Sequence, residues 1–230
     1  MIKNKTINKL LIAIFSICLM NAILVIGIYF IFFNSPFYNT EFKKYDVLDN
    51  LEISQKDLDK VKNNLIGYFS LTKKTLQTEV MKNGNKIMFY ENDEIMHMEN
   101  VRQFFIFFLV VLLISMIGII ITTVLLYRNL RNHLYLRNFA KSLIVTPIIY
   151  LSAIVVIVIM LIFSWEYVFD VFHEIFFSGG NYVFYGTSNM MIMLPEEIFF
   201  DGGLAIGITW LLMMGGTITS GIYIKRRLAQ

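Results

Sequence analysis

The stretch Phe104–Tyr127, FFIFFLVVLLISMIGIIITTVLLY, contains no charged residue. At ~1.5 Å per residue, a helix of this length reaches across the ~30 Å hydrocarbon core of a bilayer. Backbone groups in lipid must bond internally, so the segment reads as a spanning helix. Three more uncharged apolar runs share its length: Leu10–Phe33, Leu143–Phe163 and about Leu204–Ile224. Composition agrees, with 57% hydrophobic and only 16% charged residues in 230. Soluble domains carry ~25% charged residues and at this size leave about a third of the unfolded chain's surface in water. A soluble enzyme, a disordered tail and a disulfide scaffold are therefore excluded. The net charge of +3 gives no hint of a nucleic-acid partner.

The flanking charges orient the spans. Lys3, Lys5 and Lys9 precede the first, Arg128, Arg131, Arg137 and Lys141 lie between the second and third, and Lys225, Arg226 and Arg227 follow the fourth. These are half of the 20 basic residues, and their segments hold none of the 17 acids. The positive-inside rule then places both termini in the cytoplasm. The expected organisation is an all-α polytopic membrane protein with four transmembrane helices. Residues 1–33 form the cytoplasmic tail and helix 1, and 34–103 an extracytoplasmic cap. Residues 104–127 are helix 2, 128–142 a basic cytoplasmic loop, and 143–163 helix 3. Residues 164–203 form a second outer loop, and 204–230 helix 4 with its basic tail. The first apolar run is too long for a signal-peptide core, and no small-x-small cleavage site follows it. Cys18, the single cysteine, reads as a packing residue within helix 1.

A 70-residue outer segment is too long for a connector. It is expected to leave the membrane extended around Ser35-Pro36. Ser54-Gln55-Lys56-Asp57 has the form of a capping box, and Leu58, Val61, Leu65 and Tyr68 or Phe69 follow at helical spacing. Glu79–Tyr90 reads as a β-hairpin turning at Asn83-Gly84, which suits the positive φ of a type I′ turn. The result is a small α+β cap, too small for a full core of its own, that must lean on the bilayer or on the second outer loop.

Two histidines fall on the outer side, each with an acid three residues earlier: Glu94 before His97 and Asp170 before His173. Asn92 is placed to cap the helix that carries His97 into the second span. On a helix, Glu166, Phe169, Asp170, His173, Phe176 and Phe177 share one face. An interfacial helix would segregate such groups, whereas a base with an orienting acid among apolar walls suits a lipid ester. Polar collar positions and a buried structural histidine remain the plain alternatives. His133, among cytoplasmic arginines, reads as a solvated loop residue. Ser178-Gly179-Gly180-Asn181 supplies backbone donors, and Leu194–Phe200 forms an interfacial turn. The glycines of helix 4, Gly203 to Gly221, read as packing positions, and Pro147 as a kink in helix 3. No phosphate loop or nucleophile elbow is present.

The segments Glu94-Ile95-Met96-His97-Met98-Glu99-Asn100-Val101, Phe172-His173-Glu174-Ile175-Phe176-Phe177 and Leu194-Pro195-Glu196-Glu197-Ile198-Phe199-Phe200, set in four spans with a long first outer loop, resemble the lipoprotein intramolecular transacylase family of Gram-positive bacteria. The resemblance implies an acyltransferase that moves the sn-2 acyl chain of a diacylglyceryl-cysteine lipoprotein to its own α-amine, giving the lyso form. It implies His97 and His173 as the acid–base pair, with Glu94 and Asp170 in support. Phe169, Phe172, Phe176 and Asn181 would bind substrate. No cofactor or metal is implied. The partners are diacylglyceryl-modified lipoproteins and membrane lipid. The site lies on the extracytoplasmic side of the bacterial cell membrane. Two other readings stand beside it. One is a copper- or other metal-binding protein using His97, His173 and nearby methionines such as Met96, Met98, Met190, Met191 and Met193. The other is a non-catalytic membrane assembly factor.

Overall fold

The structure, a computed structural model, describes residues 5–127, 129, 132–177, 184 and 187–230. In chain order it runs α1 (Lys5–Phe32), α2 (Ser35–Lys44), α3 (Val47–Leu51), α4 (Gln55–Phe69), β1 (Glu79–Lys82), β2 (Asn85–Met88), α5 (Asn92–Leu126), α6 (His133–Phe163), α7 (Trp165–Phe176), α8 (Asn189–Met193) and α9 (Glu196–Arg227). Four of these, α1, α5, α6 and α9, are long and apolar enough to cross a membrane. Each is longer than its uncharged core, because polar turns at the ends continue the same helix. Pro147 lies inside α6, and the helix continues through it. His133 opens α6 instead of lying in a loop.

The chain divides into two compact units. The first comprises Met1–Ile28, Phe108–Met160 and Ala205–Gln230. Its core joins Met20 and Ile23 of α1 to Ile154 of α6 and Met214 of α9, with Trp210 and Tyr150 packed around them. Polar groups on α1 are paired, as hydrocarbon demands. Asn8 accepts from Asn129 Nδ2 at 2.6 Å, Ser16 donates to Ser142 at 2.9 Å, and Asn21 accepts from Tyr150 at 3.2 Å. Cys18 packs against Gly118 of α5, where a Cβ would stand 2.6 Å from its sulfur. Along the outer face of α5, Val110, Leu113, Ile117, Ile120 and Val124 are exposed, a surface suited to lipid. On α9, Gly221 is the closest approach: a Cβ there would lie 2.7 Å from the Ala140 carbonyl. Gly215 and Gly216 face open space, so they are not packing positions.

The second unit comprises Tyr29–Phe107 and Leu161–Leu204. The chain does not leave α1 extended. Asn34 is the N-cap of α2, and Pro36 sits in its first turn, where a missing N–H costs nothing. Ser54 caps α4, its side chain accepting from Asp57 N at 3.1 Å. Such a cap stabilises a helix by about 1 kcal/mol. Leu58, Val61, Leu65, Tyr68 and Phe69 are all buried. The hairpin pairs Glu79 with Met88 and Lys82 with Asn85, and turns at Asn83 (φ 51°) and Gly84 (φ 80°). The cap leans on the segment between α7 and α9: α3 packs on α8, and Asn189 accepts from Lys82 Nζ at 3.2 Å while donating to the Phe89 carbonyl at 3.1 Å. Asp201, in the second turn of α9, receives Tyr45 OH at 2.6 Å and the Lys44 ammonium.

Candidate active site

The turn at Glu91–Asn92 starts α5. Glu94 reaches back so that its Oε2 accepts from Glu91 N at 2.7 Å, the side-chain half of a capping box. Asp93 Oδ1 accepts from Glu94 N at 2.9 Å. The cap is therefore made by Glu94, not by Asn92. One turn further along α5 stands His97, 7% exposed.

The other contributor is α7, a helix of 12 residues. Its single buried residue is His173, 8% exposed. The two histidines meet: their rings lie nearly parallel, centroids 5.9 Å apart with 18° between planes. Phenylalanines enclose them. Phe169 lies 4.1 Å from the His173 ring, Phe172 lies 5.5 Å from it, and Phe177 touches both, at 5.2 Å from His97 and 5.5 Å from His173. Phe184 packs on His97 at 5.4 Å. Phe176 is 48% exposed and packs on Phe104 and Phe172 at the outside of the cage.

The His173 ring is oriented by backbone. Its Nδ1 donates to the Phe169 carbonyl at 2.8 Å, so Nε2 carries the lone pair of the neutral ring. Burial pulls the His173 pKa below its ordinary value, against the Phe169 hydrogen bond and the charges of Asp170 and Glu196, which push it up. Asp170 is itself exposed and acts on the ring through its charge. The structure thus brings His97, His173, Phe169 and Phe172 together and sets Phe176 one layer out. Asn181 lies outside the described residues. Phe177, which the sequence places on the same face as His173, completes the cage together with Phe184 and Phe104, neither of which was singled out as a site residue. Phe104 follows His97 by seven residues, a helical repeat that puts both on one face. Phe184 has no local signal, since its contact with His97 is purely tertiary. Among the described residues, no three His, Cys, Asp or Glu side chains gather closely enough to hold a metal, and the copper reading finds no support.

A neutral, buried imidazole beside a second one, walled by phenylalanine, can move a proton in a dry, lipid-compatible pocket. Comparison with known proteins gives this arrangement its family. The family model described as "Lipoprotein intramolecular transacylase Lit" matches residues 13–200. The solved structure of the membrane integral lipoprotein intramolecular transacylase Lit from Bacillus cereus superposes with a TM-score of 0.75 at 19% identity, covering 98% of this chain and 97% of that one. A second structure of that protein, with one histidine replaced by arginine, gives 0.73 at 17% identity over 98% of this chain and 96% of that one. A third, with the histidine replaced by alanine, gives 0.73 at 16% identity over 96% and 95%. No curated protein matches the sequence. The structural likeness carries the fold, and the family match spans most of the chain. The chain belongs to the lipoprotein intramolecular transacylase Lit family and, as a member, is a multi-pass membrane acyltransferase.

Proposed function

We propose that the protein transfers the sn-2 acyl chain of a diacylglyceryl-cysteine lipoprotein to that cysteine's α-amine at the outer surface of the cell membrane. The stacked histidine pair in its phenylalanine cage carries this reading. The α-amine reaches the site as an ammonium, with an ordinary pKa of ~8. His173 Nε2 takes one proton. The amine nitrogen then attacks the ester carbon, and a new N–C bond forms. His97 serves as the N–H donor to the developing oxyanion. The sn-2 C–O bond breaks, and the proton held by His173 passes to the glycerol oxygen. The second proton of the former ammonium leaves to water as the tetrahedral intermediate collapses, so one proton is released per turnover, and no nucleotide, acyl carrier or second lipid is needed. Positioning amine against ester can itself supply ~7–11 kcal/mol of the barrier. Phe169, Phe172 and Phe176 line the path for the acyl chain, Glu94 fixes the start of the helix that carries His97, and Asp170 acts on His173 through its charge.

In this reading both termini and residues 128–142 are cytoplasmic, and residues 34–103 and 164–203 lie outside, where lipid-anchored lipoproteins reside. The relative from Bacillus cereus has been solved with one histidine replaced in two ways, which fits a protein whose histidines matter. The test is mass spectrometry of lipoprotein N-terminal lipopeptides from cells carrying H97A or H173A. Wild type should yield the N-acyl, S-monoacylglyceryl form, and each variant only the free-amine diacyl form while still inserting in the membrane. Full conversion by either variant overturns the assignment.

A further inference from the structure

A small cavity of about 110 Å³ opens at the start of α5, lined by Glu91, Asp93, Glu94, Phe184, Thr187 and Ser188. Its carboxylates need explaining. Glu94 is 1% exposed, among the most buried side chains of the second unit. Capping accounts for one of its oxygens, and a neutral glutamine would cap equally well. The other, Oε1, is buried and has no hydrogen-bond partner among the described residues. Acids in a first turn favour the helix dipole, but exposed ones serve that purpose without the desolvation cost of a buried charge. Among the described residues, no lysine or arginine lines the cavity.

The cavity has a neighbour on each side. Phe184, one of its walls, packs edge-on against His97. Thr187, another wall, also lines an open groove of about 530 Å³ with Tyr45, Asn50, Met191, Pro195 and Glu197. The groove too lacks lysine and arginine and has mixed polar and apolar walls. The sequence of environments is an imidazole, an acidic pocket with room for about three waters, and then a trough open to solvent.

We infer that the acidic cavity seats the α-ammonium of the incoming lipoprotein, with the polypeptide that follows its cysteine lying in the adjoining groove. The inference rests on the transacylase reading and adds how the acceptor is recognised. The cavity's size admits an ammonium with its Cα and is too small for an acyl chain. Glu94 Oε1 gains the charge-assisted partner it lacks. The seat is where the amine is recognised: it lies one Phe184 ring away from His97, and the amine passes that ring to reach Nε2 of His173 for the transfer, while the polypeptide lies in the groove. A free α-amine is also what distinguishes an unprocessed lipoprotein from its N-acylated product, so product is released for want of the same contact.

The test is binding of two diether lipopeptides, which have no ester to transfer, to the intact protein in detergent: one with a free α-amine, one N-acetylated. Wild type should bind the free amine about tenfold more tightly, the worth of one charge-assisted contact. E94Q, which keeps the cap, should bind both alike. T187K, a change at an exposed turn that places an ammonium from the protein itself at the cavity, should also lose the preference. A preference that survives in both variants, or none in wild type, overturns the inference. Conversion of an ordinary diacyl lipopeptide by wild type is measured alongside. Failure there strikes the transacylase reading, whereas conversion without amine preference strikes only the cavity's role.

Discussion

Within one turn of α7, two opposing influences act on a single imidazole. Burial lowers the His173 pKa, and the carbonyl of Phe169 with the charges of Asp170 and Glu196 works against it. Burial wins, so the ring stays neutral to lower pH than an ordinary histidine at 6.5. If His173 is the base, the acid limb of the kcat profile lies below that value: activity is present above the depressed pKa and lost as pH falls through it. D170N removes a charge that raises the pKa, so its acid limb should move further down. The substrate amine's ionisation is common to both enzymes and cancels in the comparison. A limb that moves up, or none at all between pH 4.5 and 8 on the approximate scale of histidine titration, counts against His173 as base. The histidines themselves were legible in the sequence, because each stands near an acid in an otherwise apolar setting. The tautomer was not, since the sequence offered Asp170 as the orienting group while the contact comes from a main-chain carbonyl.

At the scale of the element, the first unit depends on close approach between helices. In lipid there is little apolar transfer energy to gain from association, so packing and paired polar groups hold helices together. Gly221 against the Ala140 carbonyl is such a place, and there the nearest atom belongs to the backbone of the neighbouring helix. A methyl group at 221 meets backbone, which cannot rotate away, and G221A should destabilise by about 1–3 kcal/mol, read as a lower thermal midpoint in detergent. G215A, facing open space, is the control and should melt like wild type. The sequence showed five glycines in helix 4 but not which of them touch a neighbour, because that depends on the rotation of α9 about its own axis. The same limit hid α3 and α8, each five residues long, too short for a periodic signal. By contrast, Ser54 and Asn83-Gly84 were readable, since caps and tight turns are set by adjacent residues.

For the whole molecule, the distribution of charge is the feature with the widest reach. Half of the basic residues lie at the termini, between α5 and α6 or in the first three turns of α6, and every acid lies in the second unit's segments. A single cysteine introduced at Gln230 in a C18A background should be shielded from a membrane-impermeant thiol reagent in intact cells, and one at Asn83 should be labelled. The opposite pattern reverses the proposed sidedness. The four spans were visible at once because uncharged runs of that length have few other uses. Their pairing was not, since apolar residues facing lipid and facing protein look alike. One consequence follows from how His173 is held. Its orienting acceptor is the carbonyl of Phe169, and every amino acid at that position brings the same carbonyl. The phenyl ring at 169 serves the wall of the pocket, while the hydrogen bond that selects the reactive nitrogen is not encoded in any side chain. Lineages with this fold can therefore change the side chain at this position and still inherit the same tautomer, provided that the walls go on burying the ring.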